Sequence, residues 1–433
     1  MRAANLPGPP DDATELLIHQ QPIGAIHYRI IVLSFLGWIF DFYDLIIYSF
    51  MLVPIARDLG LSQMQSSLLL GTSFLMTAIG GVGFGILGDR FGRKPVMVAT
   101  VTIYAAGTLM CATAYSLATL ILWRSVAGLG IGGGWASGQA LIAESMPASR
   151  RARYAGYVQT GSPLGVLLAA AVSGYIAPHI GWRWVFALSA APAFAVAFAQ
   201  WRMLPESDVW RQGGGKTSML SAEDVEAIRR HARIIALLFG WLLLNSEAFW
   251  FTYSWMPGYL ETQRGLSARE SGALMIFMQC GGVAGYAIFG FLADRFGRRP
   301  MFCLFGLAMA IGLIPATIMW GAASGVCGLI PSAMAIAGFG TGVWSGAAPY
   351  MSELLPTRVR NTMMGLLMNW TRGAQFFTPL VITILSRRIG LGAALSLGAL
   401  FSLAGAFAVW TLPETRGREI TELDAALKRT QHN

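Results

Sequence analysis

Five charged residues interrupt otherwise apolar sequence: Asp41, Asp44, Arg124, Glu247 and Arg372. A charge in hydrocarbon costs several kcal/mol unless it is paired or hydrated, so each marks a place where ions or polar substrates are handled. Asp41 and Asp44 stand three apart in the phrase DFYDL, on one face of a helix. At ~1.5 Å of rise per residue, Asp44 lies about 14 Å below one membrane surface and Arg124 roughly 8 Å below the same one. A long arginine side chain spans that offset if the two helices face each other. A buried carboxylate beside an arginine is a proton switch, because desolvation favours the neutral acid, the guanidinium favours the carboxylate, and small movements decide between them. Asp44 is therefore expected to carry the proton with Arg124 as its partner, unless the pair is a fixed salt bridge that never titrates. Asp41, nearer the midplane, either carries the proton itself or shapes the site. Glu247, in LLLNSEAFWFTYSW, is either a second titrating group or faces a hydrated vestibule.

Arg372 points to a different chemistry. It lies about 17 Å into its apolar run, close to the midplane. No acidic residue stands within a helical turn of it. A lone guanidinium there calls for an anion, and its planar fork suits a carboxylate bidentately. Asn369 and Gln375 flank it at three-residue spacing and offer further hydrogen bonds. The alternative is a pair with Glu247 or Asp41 across a cavity, which a bound anion would break. Tyr43, Tyr48, Gln139 and Gln159 are candidates to line such a cavity. Trp135, Trp344, Trp250 and Tyr253 join them, although most membrane Trp and Tyr serve as packing or interface anchors.

Positioning these groups falls to twelve apolar runs, each near the length that crosses a ~30 Å hydrocarbon core. They cover 28–53, 64–88, 96–115, 119–142, 154–177 and 182–203, then 233–258, 269–292, 300–319, 325–349, 361–385 and 391–412. The two sets of six share phrases. ILGDRFGRKP at 86–95 returns as FLADRFGRRP at 291–300, ESMPASRRAR from Glu144 returns as ELLPTRVR from Glu353, and LPES from Leu204 returns as LPET from Leu412. Offsets of 205 to 209 residues make the chain two copies of one unit. Such repeats in hydrophobic sequence are a hallmark of secondary transporters. Segment 205–232 is the long polar interruption, with three glycines at 213–215 and SAEDVEAIRR from Ser221, which suits a capped helix on the inner membrane face.

Composition and placement exclude several function classes. The chain is 55% hydrophobic and 12% charged, well below the roughly 25% charged usual in soluble domains. The net charge of +9 reflects Lys and Arg gathered in the cytoplasmic loops, which sets orientation and calls for no nucleic acid. Cys111, Cys280, Cys303 and Cys327 sit singly in apolar runs, suggesting packing residues rather than disulfides or a metal cluster. His19, His27, His179, His231 and His432 are scattered, and no GxxxxGKS phosphate loop or Ser-His-Asp set is legible. The first 24 residues lack the pattern of a removable signal peptide.

GDRFGRKP between the second and third runs resembles the signature loop of the major facilitator superfamily, with ADRFGRRP as its second-half echo. Run count, central loop and spacing extend the resemblance over nearly the whole chain. It implies a gate latch: Asp89 and Asp294 hold the inward side closed, working with Arg90, Arg93, Glu144 and with Arg295, Arg298, Glu353. A purely topogenic basic loop is the plainer alternative. The first and fourth runs are similar to the organic-acid:proton symporter branches, the aromatic-acid and sialate carriers, with sugar porters more distant. Those relatives carry an acidic pair written DGxD in the first run; here Phe42 stands in place of the glycine. The fourth run carries Gly128/Gly132, Gly130/Gly134 and Gly134/Gly138, small-xxx-small pairs that let helix backbones touch. The resemblance implies that the first and fourth runs face each other, bringing Asp44 to Arg124. It also matches Arg372-Gly373 to an arginine in a glycine-containing stretch of the eleventh run. GSPLG from Gly161 lacks the fuller glycine-proline pattern of drug/proton antiporters, which favours symport.

The chain is thus read as an all-α membrane protein with twelve transmembrane helices in two six-helix pseudo-symmetric bundles. A cytoplasmic tail covers 1–27, the bundles cover 28–204 and 233–412, a cytoplasmic central loop covers 205–232 and a second tail covers 413–433. The expected activity is proton-coupled symport of a small organic anion, a carboxylate, by alternating access. No enzyme activity, metal or cofactor beyond the coupling proton is expected, and a monomer in a bacterial inner membrane suffices. Its rivals are a proton-coupled sugar or polyol porter, encouraged by PES at 205 and PET at 413 but not by a midplane arginine, and a membrane receptor that keeps the fold without turnover.

Overall fold

The computed structural model describes residues 24–146, 148–213, 222–323, 325–356 and 359–416. Most of the two expected tails lies outside these residues, as does Ser221. The first half runs α1 (Ala25–Leu59), α2 (Gln63–Phe91), α3 (Arg93–Cys111), α4 (Leu117–Ser145), α5 (Ala148–Gln159), α6 (Gly161–Ala171) and α7 (Ala177–Met203). Short helices α8 (Asp208–Gly213) and α9 (Ala222–Arg230) lead to the second half. That half comprises α10 (Ala232–Thr262), α11 (Ala268–Phe296), α12 (Arg298–Ala316), the single turn α13 (Trp320–Ala323), α14 (Leu329–Gly340), α15 (Val343–Leu354), α16 (Arg360–Ala374), α17 (Phe377–Ile389) and α18 (Leu391–Ala408).

The repeated phrases become repeated devices. Ser62 starts α2 by accepting from the Gln65 N–H, and Ser267 starts α11 by accepting from the Glu270 N–H, each completing a capping box. At the other end of these helices, Gly92 and Gly297 turn the chain at φ 109° and 103°, conformations that only glycine takes freely. The end carrying these two turns is here the loop end, and the opposite one the far end. Glycines also set the packing. A Cβ on Gly132 would meet the Thr77 carbonyl at 1.9 Å, and one on Gly338 would meet the Met278 carbonyl at 1.7 Å, so α4 against α2 and α14 against α11 are backbone-to-backbone contacts. The two halves meet where α2 lies along α16 and α17, where α6 lies along α11, and where α1 meets α10.

Nine continuous stretches among the described residues are long and apolar enough to cross a membrane. The difference from twelve is physical. The fifth and sixth spans run on as one stretch, Tyr154–Met203, through a π-helical turn (Val172–Ile176) and a bend at Gly181. The tenth and eleventh are each broken, at Thr341-Gly342 and at Gln375-Phe376, and the fifth is nicked at Thr160. At all three places the chain closes with i→i−3 bonds, Thr160 to Tyr157, Gly342 to Phe339 and Phe376 to Gly373. Discontinuous helices at membrane depth are tolerated where they line a cavity, and these do.

Each half carries the same charge cluster at the loop end. Arg93 pairs with Asp89 and donates to Glu144 at 2.8 Å, while Glu206 accepts from the Arg93 backbone N–H at 2.9 Å. Arg298 pairs with Asp294 at 2.6 Å and Glu353 at 3.2 Å, and Glu414 accepts from the Arg298 and Arg299 backbone N–H groups at 2.8 and 2.9 Å. Partial burial pushes the Glu414 carboxyl up, but the N–H groups of Arg299, Arg298, Arg416 and Thr415 outweigh it and hold that carboxyl below its usual range. Arg90 and Arg295 take no part in these pairs; each lies 5.4 Å over its own neighbouring ring, Phe91 or Phe296. At the far end several uncharged contacts join the halves. Ser67 and Thr383 share a hydrogen bond of 2.5 Å, Gln63 donates to Ser386 at 3.2 Å, and Gly174 of the π turn abuts Gly272 of α11.

Candidate functional site

A cavity of about 640 Å³ lies between the halves at mid-depth. Each broken span contributes to its wall: Gln159 and Ser162 from the fifth, Trp344 from the tenth, Thr371, Arg372 and Gln375 from the eleventh. The rest is mostly aromatic, with Trp38, Phe42, Phe74, Phe249, Trp250 and Tyr286. Phe74 of α2 and Trp250 of α10 meet at a tilt of 60° with ring centroids 4.5 Å apart and so join the halves across the cavity. Apolar walls with a few convergent polar groups suit a small organic ligand.

Arg372 is the cation of this cavity. Its side chain makes no hydrogen bond to any described residue, Nη1 is buried without a partner, and its guanidinium sits 5.5 Å from the Trp135 ring. The charge that acts on it is Asp41's. Gln375, one turn away, donates to Ser246 and leaves its Oε1 unpartnered. A guanidinium, a ring and a free amide oxygen are groups whose chemistry suits a flat anion with a donor on its edge.

Asp41 occupies a second, smaller cavity of about 310 Å³ inside the first half. Trp38 and Trp135, ring centroids 6.4 Å apart, stand between the two spaces. Gln159, in the larger cavity, accepts from Trp135 at 3.3 Å and from Gln139, which lines the smaller one, at 3.5 Å. Asp41 is 3% exposed with Oδ1 unpartnered, and it lies so close to α4 that a Cβ on Gly134 would meet its Oδ2 at 2.8 Å. Arg372, Asp44 and Tyr104 are the charged and titratable groups whose influence reaches it.

Asp44 and Arg124 meet as the sequence suggests, at 3.0 Å, but they are sealed, with side chains 3% and 0% exposed, and line neither cavity. Thr108 supplies a second donor to Asp44 at 2.5 Å, and the Tyr48 ring covers the guanidinium at 4.7 Å. Removing one partner of a buried pair is costly, whereas replacing both with apolar groups is often neutral. Arg124→Met alone is therefore expected to destabilise the protein by about 3–5 kcal/mol. Asp44→Leu/Arg124→Met should recover most of that loss in thermal unfolding in detergent. A double variant whose loss equals the sum of the two single losses would show that the pair is not coupled.

Other candidates are placed elsewhere. Tyr43 shares a hydrogen bond of 2.6 Å with Ser189 inside the first half, and Tyr48 packs on Arg124 and Phe186, so neither reaches the cavity. Tyr253 stacks on Phe249 at 4.1 Å and accepts from Gln279. Glu247 accepts from Thr378 at 2.6 Å, outside the cavity wall. Asn369 donates to the Gly365 carbonyl and presses on Gly81, where a Cβ would meet its Oδ1 at 2.0 Å, so it braces the two halves rather than lining the site. Trp38, Phe42, Phe74, Thr108 and Gln200 were not expected. An amide in an apolar run was a usable signal for Gln200; the rings carried none, because lipid-facing and cavity-facing aromatics look alike in sequence.

The profile described as Major Facilitator Superfamily matches residues 33–379 and 269–430. A protein of Haemophilus influenzae, named provisionally for metabolite transport, is 32% identical over 415 residues, 92% of this chain and 99% of that one. The niacin transporter NiaP of Acinetobacter baylyi is 28% identical, across 84% of this chain and 89% of its own. The crystal structure of a D-xylose-proton symporter superposes with a TM-score of 0.73 at 20% identity, covering 91% of this chain and 100% of that one. Two homologous helical halves around a central cavity, and these matches along almost the whole chain, make it a multi-pass membrane protein of the Major Facilitator Superfamily.

Proposed function

We propose that this protein carries a small planar carboxylate across the membrane together with protons, by alternating access at the central cavity. The observation that carries the proposal is Arg372: a guanidinium whose Nη1 is buried without a partner, on the wall of an aromatic cavity between the halves. A neutral sugar needs no such charge, whereas niacin, the molecule in one relative's name, is an aromatic carboxylate. The positive-inside pattern supports a cytoplasmic loop end, and the bacterial relatives support an inner membrane.

Coupling follows from charge. With the cavity empty, Arg372 is the opposite charge facing Asp41, and its pull favours the carboxylate form. A substrate carboxylate on Arg372 neutralises the guanidinium, removes this support, and lets Asp41 take a proton. Linkage makes the effect reciprocal, so protonation of Asp41 strengthens anion binding. The loaded site is then close to neutral overall, and the halves can rock around it without moving net charge through hydrocarbon. Asp41 is preferred to Asp44 for this role because it alone lies on a cavity and within the field of Arg372.

Proteoliposomes holding a pH-sensitive dye test this directly. A panel of mono-, di- and aromatic carboxylates plus neutral sugars is added outside wild type and Asp41→Asn. The expected result is proton entry with a planar carboxylate, and in Asp41→Asn transport of that acid without proton movement. Proton movement with a sugar alone would replace this reading with that of a sugar porter.

A further inference from the structure

The smaller cavity has a role of its own, which rests on the reading of Asp41 as proton carrier. Its walls descend from Asp41 towards the loop end. On α1 they pass through Gly37 to Ser34, a drop of about 10 Å at ~1.5 Å per residue; on α4 they pass from Gly134 to Gly138. Gln200 of α7 closes the lower side, donating to the Leu33 carbonyl at 3.2 Å. Asp41 Oδ1, Ser34 Oγ and Gln200 Oε1 are all buried in this space without partners, on side chains 3%, 4% and 0% exposed. Buried acceptors and hydroxyls left unpaired by protein are satisfied by water where there is room for it. Further towards the loop end on α1 and α4, Ile30, Leu141, Ile142 and Met146 belong to one buried apolar cluster, an apolar plug below these groups.

We propose that this cavity is a water chamber that relays the proton between Asp41 and the loop end, separately from the path of the substrate. Trp38 and Trp135 keep the anion on one side, in contact with Arg372, while water on the other side bridges Asp41 to Ser34 and Gln200. The proton leaves Asp41 through this water when the plug parts in the loop-end-open state. The groups bearing on Asp41 from the elements around it are Arg372 of α16, Tyr104 of α3 and Asp44 of its own helix.

Filling the chamber tests it. A Cβ on Gly138 would meet Met97 Cε at 3.6 Å and Ser34 Oγ at 3.9 Å, ordinary contacts, so Gly138→Ala is tolerated and Gly138→Leu puts apolar volume into the space. Two rates are read in proteoliposomes with the carboxylate found active above: substrate–substrate exchange, which needs no net proton movement, and proton-driven accumulation. In Gly138→Leu and Gln200→Leu exchange should persist at the wild-type rate, while accumulation falls roughly a hundredfold, the low end of what a positioned proton relay contributes. Gly138→Ala should retain both. Wild-type accumulation in both leucine variants would overturn the chamber and leave anion–proton symport standing; so would loss of exchange together with accumulation in both. Selective loss in Gln200→Leu alone, with Gly138→Leu too unstable to purify, would support it. Wild type that exchanges acid yet never moves protons would end the symport reading and the chamber with it.

Discussion

Arg372→Ala should bind a planar carboxylate about a hundredfold to a thousandfold more weakly than wild type, because truncating one member of a buried charge pair costs ~3–4 kcal/mol. The protein itself should not suffer. Arg372 makes no hydrogen bond to a described residue and leaves Nη1 unpartnered, so the change removes a poorly satisfied charge, and Asp41, left without its cation, can take a proton; thermal stability should hold. This opposition, weaker binding with undiminished stability, separates a substrate-binding arginine from a structural one. Arg372→Lys should recover only part of the affinity, since an ammonium cannot present the bidentate fork. Intrinsic fluorescence gives a direct readout, because Trp38, Trp250 and Trp344 line the cavity and Trp135 lies 5.5 Å from the guanidinium. Unchanged affinity in Arg372→Ala would remove the anion from this site.

The second large effect concerns the far end. A Cβ on Gly272 would meet Gly174 Cα at 2.8 Å and the Ala170 carbonyl at 3.0 Å, so the halves close there only because both positions are bare. Gly272→Trp places an indole where backbone now lies, and the closed arrangement becomes inaccessible. Shifting a two-state equilibrium from 99:1 to 1:99 takes about 5.5 kcal/mol, which a clash of this size readily exceeds. Turnover should fall by at least about two orders of magnitude on that scale. Binding from the far side should persist, since Gly272 is not part of the cavity wall. Spin labels across the far end should report a single, wider separation than in wild type. Normal transport by Gly272→Trp would mean that the far end need not close at this contact.

The two effects differ in how visible their residues are in sequence. Arg372 is legible because charge in an apolar run is conspicuous, and the capping serines and paired loop glycines are legible because they recur at a fixed offset. The Asp44–Arg124 contact followed from depth arithmetic once the facing of the two helices was supplied by resemblance. What stayed hidden is rotation about each helix axis. In a soluble helix the polar face marks the outside, but here lipid and core are both apolar and the cue disappears. Tyr43 and Tyr48 therefore looked as eligible for the cavity as Trp38 and Phe42, which line it. The helix breaks were equally silent: Thr341-Gly342 and Gln375-Phe376 contain no proline, and only the neighbouring helices show why the chain departs from α geometry there.

The loop-end clusters and the sealed Asp44–Arg124 pair share a property with mechanical meaning. Each of these ion pairs joins residues of a single half, whereas the contacts between halves described above use glycine backbone, hydroxyls, an amide and rings. Tilting one half against the other therefore separates none of these charge pairs. At the contacts described above the joint's resistance comes from shape, although charge also crosses it at the far end, where Glu261 stands in the field of Arg57 and Arg269 lies 5.7 Å from the Tyr175 ring. Arg372 and Asp41 are further opposed charges across it, and under the coupling proposed above they act as a brake, engaged when the site is empty and released when an anion and a proton arrive together.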